Sequence, residues 1–407
     1  MTDPYQLRDA KADDFDGIWR MLSSAFGIEG EEDQRDIERM TYEPERGHVV
    51  TFGDEVVAHA SAYTRELTVP GASIPAAHVS LVSVEPTHHR RGLLRRLMTH
   101  QLETVEEPIA VLWASEGRIY QRFGYGMASK SANLTVSVRE LSLRTPRSAG
   151  GTVRAALPAE ARSLFPHVYE RKRTEQPGLS SRDDGWWDNI LADPDSRRRG
   201  FTAKRFTVFD TGDGIDGYAV WRARSVWSDA GPDGETKLLE LVAVTPEAYA
   251  ELWRFLFSID LARTLIAGPI AVDEPVFHLV DEPRQLRSTT ADGLWIRVTD
   301  VPAALAARRY AAPVDVVLEV TDALLPRNEG RWRLQAAPDG TATCTPAGSD
   351  RADLTCDVAD LGALYLGGTP IGALAAAGRV REMTAGALRA AGAAFGWHVG
   401  PTAIEIF

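Results

Sequence analysis

Apolar positions along the first third of the chain alternate between two periods. Tyr5 to Arg8 reads as a short strand. Ile18, Met21, Leu22, Ala25 and Phe26 then fall on one helical face, with Asp13 or Asp14 placed to cap it. His48 to Phe52 and Glu55 to Arg65 read as two strands joined by Gly53-Asp54, a dipeptide that favours a hairpin turn. His78 to Val84 has the pattern of a strand covered on both faces and runs into Pro86. From about Gly92 a helix carries Leu93, Leu94, Leu97, Met98, Leu102 and Val105 on one side. Ile109 to Ala114 is a second buried strand, and Gly117 to Phe123 a short helix stopped by Gly124. This order predicts a mixed α/β sheet with flanking helices.

A fainter copy follows. Thr207 to Phe209 and Gly217 to Ala223 read as strands around a Gly/Asp turn. Lys237 to Val244 is an apolar strand before Pro246, and Glu247 to Asp260 is a helix with Leu252, Phe255, Leu256 and Ile259 on its face. VSVEP in the first segment and LVAVTP in the second thus both precede a helix. The first continues THHRRGLLRR; the second continues EAYAELWRFL, with no glycine or arginine cluster. A third segment from Gly293 reads as strands Leu294 to Val298, Val314 to Val320, Arg331 to Gln335, Thr341 to Thr345 and Ala352 to Cys356, then helices to Phe395. That is an α+β layer. Pro/Gly/Ser-rich text at Ser142 to Thr152 and polar text at Asp281 to Asp292 mark the boundaries. The expected domains are 1–145, 146–288 and 289–407.

Composition narrows the class. With 407 residues, 44% apolar and 25% charged, the chain is long enough for several cores. Two cysteines, Cys344 and Cys356, fit neither a zinc pattern nor a disulfide framework, so no metal is expected. A formal charge of −12 argues against nucleic acid as a partner and suits a cationic small molecule. MTDPYQLRDA has neither the basic nor the apolar part of a secretory signal, and no apolar run would span a bilayer. A cytoplasmic location and no membrane partner are expected.

Two stretches carry chemistry. In VSVEPTHHRRGLLRR, Val82 to Arg96, a buried strand, a proline and a basic turn with one glycine lead into a helix. Free N–H groups at the helix start, its dipole and flanking arginines all favour an anion, and a pyrophosphate would fit. A solvated basic helix end would give the same residues; the buried strand immediately before it favours the phosphate site. GxxxxGK[ST] and GxGxxG are absent. In ASEGRIYQRFGYG, Ala114 to Gly126, a strand end and a short helix present Tyr120. A tyrosine, protonated at neutral pH, can return a proton to a thiolate, although a lone tyrosine more often only packs.

Together these stretches resemble the GNAT acetyltransferases: His89-Arg90-Arg91-Gly92-Leu93-Leu94 stands where that family has Q/R-x-x-G-x-G/A, and Tyr120 to Tyr125 where it has YxxxGF. PTHHRRGLLRRLM and ASEGRIYQRFGYG are similar to the versions found in one subfamily, the Eis N-acetyltransferases. DGLWIRVTDVPAAL (Asp292 to Leu305), DLGALYLGG (Asp360 to Gly368) and a final phenylalanine extend the resemblance over the whole length. It implies tandem GNAT folds, the second degenerate, followed by a domain like sterol carrier protein. It implies acetyl-CoA along Val82, Ser83 and Val84, with its pyrophosphate at Arg90, Arg91, Gly92, Leu93, Leu94 and Arg95, and with Ser115 and Glu116 beside the acetyl group. Tyr120 would be the acid, with Tyr125 a weaker alternative, and the terminal carboxylate of Phe407 the base. No metal takes part. The acceptor would be a polycationic amine such as an aminoglycoside, acetylated at more than one position, and the assembly a homo-oligomer, a hexamer. Glu29, Glu31, Glu32, Asp33 and Glu405, with Phe26 as a wall, are the residues to hold such an acceptor; a solvated loop face is as good a reading of Glu31 to Asp33. Two other functions compete: a lipid-binding protein and a GNAT-shaped regulator without catalysis. The arginine turn and Tyr120 favour the enzyme.

Overall fold

The computed structural model describes residues 3–407, in two compact units. The first runs to Ser129 and resumes with Gly293–Pro401 and Ile406–Phe407; the second is Lys130–Asp292 with Thr402–Glu405. No helix among the described residues is long and apolar enough to cross a membrane.

The first unit opens with β1 (Tyr5–Asp9), α1 (Phe15–Phe26), α2 (Glu32–Arg39), β2 (His48–Phe52), β3 (Glu55–Val69), β4 (Ala72–Val84), α3 (Leu93–Thr104), β5 (Ile109–Trp113), α4 (Gly117–Gln121) and β6 (Gly126–Met127). Phe15, Ile18, Met21 and Leu22 bury one face of α1, as their spacing dictates. Two expectations for this helix change. Phe26 is 51% exposed rather than part of that face. Asp14 does not cap α1 with its side chain: it accepts from the Lys11 N–H at 2.7 Å and pairs with Arg8.

The second unit contains β7 (Lys130–Ser137), β8 (Thr152–Ala156), α5 (Pro158–Arg173), α6 (Asp184–Leu191), β9 (Arg205–Asp210), β10 (Ile215–Arg224), a small hairpin of β11 (Trp227–Ser228) and β12 (Gly231–Pro232), β13 (Gly234–Ala243), α7 (Pro246–Phe257), β14 (Ala262–Ala271), α8 (Val276–Leu279) and β15 (Thr289–Asp292). Its sheet has the order β15-β7-β14-β13-β10-β9-β8. Leu252, Trp253 and Leu256 of α7 fill one side of it; Phe165 and Tyr169 of α5 fill the other.

The chain then returns to the first unit as β16 (Leu294–Val298), α9 (Val301–Ala307), β17 (Val314–Thr321), β18 (Gly330–Ala336), β19 (Ala342–Pro346), β20 (Leu354–Asp357), α10 (Val358–Leu364), α11 (Ile371–Ala376), β21 (Arg381–Glu382) and α12 (Ala387–Phe395). The first sheet has the order β1-β2-β3-β4-β5-β16-β6. The strand that opens the third sequence segment therefore lies antiparallel between β5 and β6, while Lys130–Ser137 lies in the other sheet. Leu294, Ile296 and Val298 are fully buried there, and α10 packs so closely that a Cβ on Gly126 would fall 1.8 Å from the Ala359 carbonyl oxygen. A separate sheet, β19-β18-β17-β20-β21, carries the remaining strands.

Candidate active site

A kink in β4 creates the site. Pairing of β3 with β4 shifts register between His59 and Ser61, and Leu81 takes φ 53°, an uncommon conformation for a branched residue. Buried His59 stabilises it by donating from Nδ1 to the Leu81 carbonyl at 2.9 Å. Burial lowers the His59 pKa to about 4, so the ring is neutral. Beyond the kink β4 leaves β5. Their parallel pairing is confined to Ala77–Ala110 and His78–Val111, so Val82, Ser83 and Val84 are unpaired with β5, and of this edge the Val84 carbonyl accepts from His89 Nε2 at 2.9 Å.

The turn after β4 supplies the anion-binding end. Arg90 and Gly92 both have positive φ, 61° and 80°, which aims the chain into α3 without a side-chain cap. The first N–H groups of α3 are thus free for an anion. Strand edge and turn frame a groove of about 910 Å³. Val82, Ser83, Val84, Arg90, Gly92, Leu93, Leu94, Arg95, Ser115, Glu116 and Tyr120 all line it. Arg91 does not. Its guanidinium donates to the Tyr5 hydroxyl at 2.6 Å and lies over the Tyr5 ring, bracing the turn against β1.

Tyr120, on α4, is 6% exposed; burial raises its pKa above the ordinary tyrosine value, opposed by a hydrogen bond with Ser115. Tyr125 packs edge-on against it at 5.9 Å but is fully buried and does not line the groove, and its hydroxyl has no hydrogen-bond partner among the described residues. The Phe407 ring is half-buried, 4.8 Å from His78, at the last β4–β5 pair before the fork. Phe407 is not part of the groove lining.

Sequence reasoning missed Ala323 and Leu324, which wall the groove from the loop after β17. A fully buried ion pair holds that loop: Asp322 accepts from Arg297 of β16 at 2.7 and 2.8 Å and from the Leu324 and Leu325 N–H groups. No local pattern announces a loop so far downstream of the arginine turn. Ala25 and Phe26 form another part of the wall. Glu29, Glu31 and Glu32 are exposed and do not line the groove. Asp33, at the start of α2, does not line it either. Glu405 accepts from Arg182 Nε at 2.7 Å and is mostly buried, so its charge is already matched within the second unit.

The second sheet keeps the fork without the turn. β13 pairs with β14 only from Gly234 to Leu238. At α7, Pro246 has no N–H, and Thr245 accepts from the Ala248 N–H, so one of the donors that α3 leaves free is missing and another is engaged. Beyond the fork the Glu240 carboxylate accepts from Arg182 and from the Tyr218 hydroxyl.

The groove residues fit a nucleotide thioester: free N–H groups and arginines for a pyrophosphate at one end, an open strand edge for amides, and a buried neutral phenol at the other end. Comparison with known proteins agrees. Models of the acetyltransferase (GNAT) domain match residues 6–128 and 178–298, and that of the sterol carrier protein domain matches 301–403. The chain is 41% identical over 401 residues to an uncharacterized N-acetyltransferase of Streptomyces avermitilis, covering 97% of this chain and 98% of that protein. It is 38% identical over 357 residues to N-acetyltransferase Eis of Mycobacterium tuberculosis, 84% of each. The crystal structure of Eis1 from Mycobacterium abscessus superposes with TM-score 0.83 at 31% identity, covering 99% of this chain and all of that one. Tandem GNAT folds followed by a sterol-carrier-like domain, with this degree of identity along nearly the whole length, place the chain in the Eis family of N-acetyltransferases.

Proposed function

We propose that the protein transfers the acetyl group of acetyl-CoA to amines of polycationic small molecules, aminoglycosides foremost, at more than one amine per molecule. The observation that carries this reading is the convergence of an open strand edge, an uncapped helix start with Arg90 and Arg95, and a buried Tyr120 on one groove of the first sheet. Acetyl-CoA supplies a thioester. An acceptor amine adds to its carbonyl carbon, a C–N bond forms and the C–S bond breaks. Tyr120 returns a proton to the departing sulfur. The Phe407 carboxylate, whose ring is seated on His78 at the fork, takes the proton that the amine loses. Exposed Glu116 on the groove and the half-exposed wall of Phe26 suit a cationic acceptor with sugar faces. We further assign the protein to a homo-oligomer, a hexamer, which sedimentation at micromolar concentration tests directly.

The test of the whole reading is thiol release from acetyl-CoA with a panel of aminoglycosides and lysine-like amines, with products weighed by mass spectrometry. Adducts of two or more acetyl groups on one aminoglycoside support it. Turnover confined to monoamines defeats the acceptor assignment. Extending the chain past Phe407 tests the base: the extended protein is expected to bind CoA but turn over poorly, and full activity would reject that role.

A further inference from the structure

We propose that Asp9, His48 and His100 form a binding site for a divalent transition-metal ion of the zinc class, on the opposite part of α3 from the groove. Asp9 ends β1 and lies directly across from His48, which begins β2; their Oδ1 and Nδ1 atoms are 3.2 Å apart. His100, two turns into α3, brings its ring to 4.7 Å from that of His48 in an edge-on arrangement. One donor atom from each of the three residues lies within 4.8 Å of the other two. Two imidazoles and one carboxylate are the donors that zinc, cobalt, nickel and copper prefer, whereas magnesium and calcium take oxygens.

The geometry needs little adjustment. Bonds of about 2.0–2.2 Å in a tetrahedron put donors roughly 3.4 Å apart, which Asp9 and His48 already satisfy. A small rotation of half-exposed His100 closes the third side. His48 is oriented by burial, its side chain 11% exposed, while Asp9 is 79% exposed and leaves a route for the ion and a position for water. Two of the neighbouring arginines are already paired: Arg8 with Asp14, and Arg96 with Asp3. Neither the cysteines nor the family resemblance, on which the expectation of no metal rests, bears on this cluster. Ligands at positions 9, 48 and 100 have no sequence spacing to reveal them, and only the fold brings them together. Because α3 also frames the groove, a bound ion would tie that helix to the β1–β2 pair.

The experiment uses full-length protein free of any histidine tag, stripped with EDTA and titrated with Co²⁺ while visible d–d absorption is followed. One Co²⁺ per chain, displaced by Zn²⁺, is expected. His100→Gln should bind at least about tenfold more weakly, and Asp9→Asn, exposed and safe for the fold, should weaken binding as well. The pair His88→Gln and His89→Gln, at the turn before α3, should leave the titration unchanged. The assignment is overturned by an absent Co²⁺ band, by His100→Gln and Asp9→Asn titrating like the parent, or by loss of the band in the His88/His89 variant.

Discussion

Tyr120 and His59 are both buried polar groups kept neutral, for opposite ends. Burial lifts the Tyr120 pKa, so its proton stays on throughout the neutral range, and any alkaline loss of activity from this group falls above the ordinary value of about 10. Tyr120→Phe keeps the ring and removes the proton. Turnover should drop roughly 10²–10⁴-fold with melting temperature nearly unchanged; a loss below tenfold in steady-state assays would move the acid elsewhere. His59 acts on stability. Its pKa is depressed from 6.5 to about 4, so the folded state resists protonation more than the unfolded chain does. The neutral ring costs nothing above pH 6.5, and stability is lost as pH falls from there to 4, by about 3 kcal/mol in all. Urea unfolding at pH 7 and pH 4 should show His59→Gln losing about that much less than the parent; parallel losses would contradict the assignment. The motif read from sequence located Tyr120 because its spacing is local. His59 carried no such signal, since its partner Leu81 lies 22 residues away across a hairpin.

At the scale of elements, the difference between α3 and α7 was legible in the text after each proline, and the structure supplies its physical content. Gly92 leaves a helix start open, whereas Pro246 and Thr245 close one. Calorimetric titration with CoA should therefore give one site per chain, and two equal sites would refute the closure argument. Within the α3 turn the two adjacent arginines part company, which no spacing rule foretells. Arg90→Ala should raise the acetyl-CoA KM by removing a charge-assisted contact of about 1.5–3 kcal/mol. Arg91→Ala instead removes one of the two partners of the Tyr5 hydroxyl, leaving His88, and should lower the melting temperature more than it changes KM. Equal KM effects from both would show that Arg91 reaches the nucleotide after all. Helix α2 is hard to read from the sequence because it buries only Ile37; α5 does bury Ala161, Phe165, Val168 and Tyr169 at helical spacing, but Pro166 in mid-helix reads as a break.

At the scale of the whole molecule, periodicity cannot say which sheet a strand joins. Leu294–Val298 reads as an ordinary apolar strand, yet it sits between β5 and β6, with Lys130–Asp292 of the second unit between it and them along the chain. It brings with it Arg297, whose pair with Asp322 positions the groove wall at Ala323 and Leu324. A chain cut at the first expected domain boundary would lack this strand. Ile109, Val111 and Leu112 of β5 would then present an apolar edge to water. Losing the burial of Leu294, Ile296 and Val298, each about 1.5–3 kcal/mol, removes several kcal/mol from a balance of about 5–15. The fragment 1–145 should be insoluble, or expanded and unable to bind CoA, when its circular dichroism melt and CoA titration are measured. Supplying Gly293–Pro401 on a second chain should restore both properties. A 1–145 fragment that melts cooperatively and binds CoA unaided would show that β16 only covers an already stable sheet.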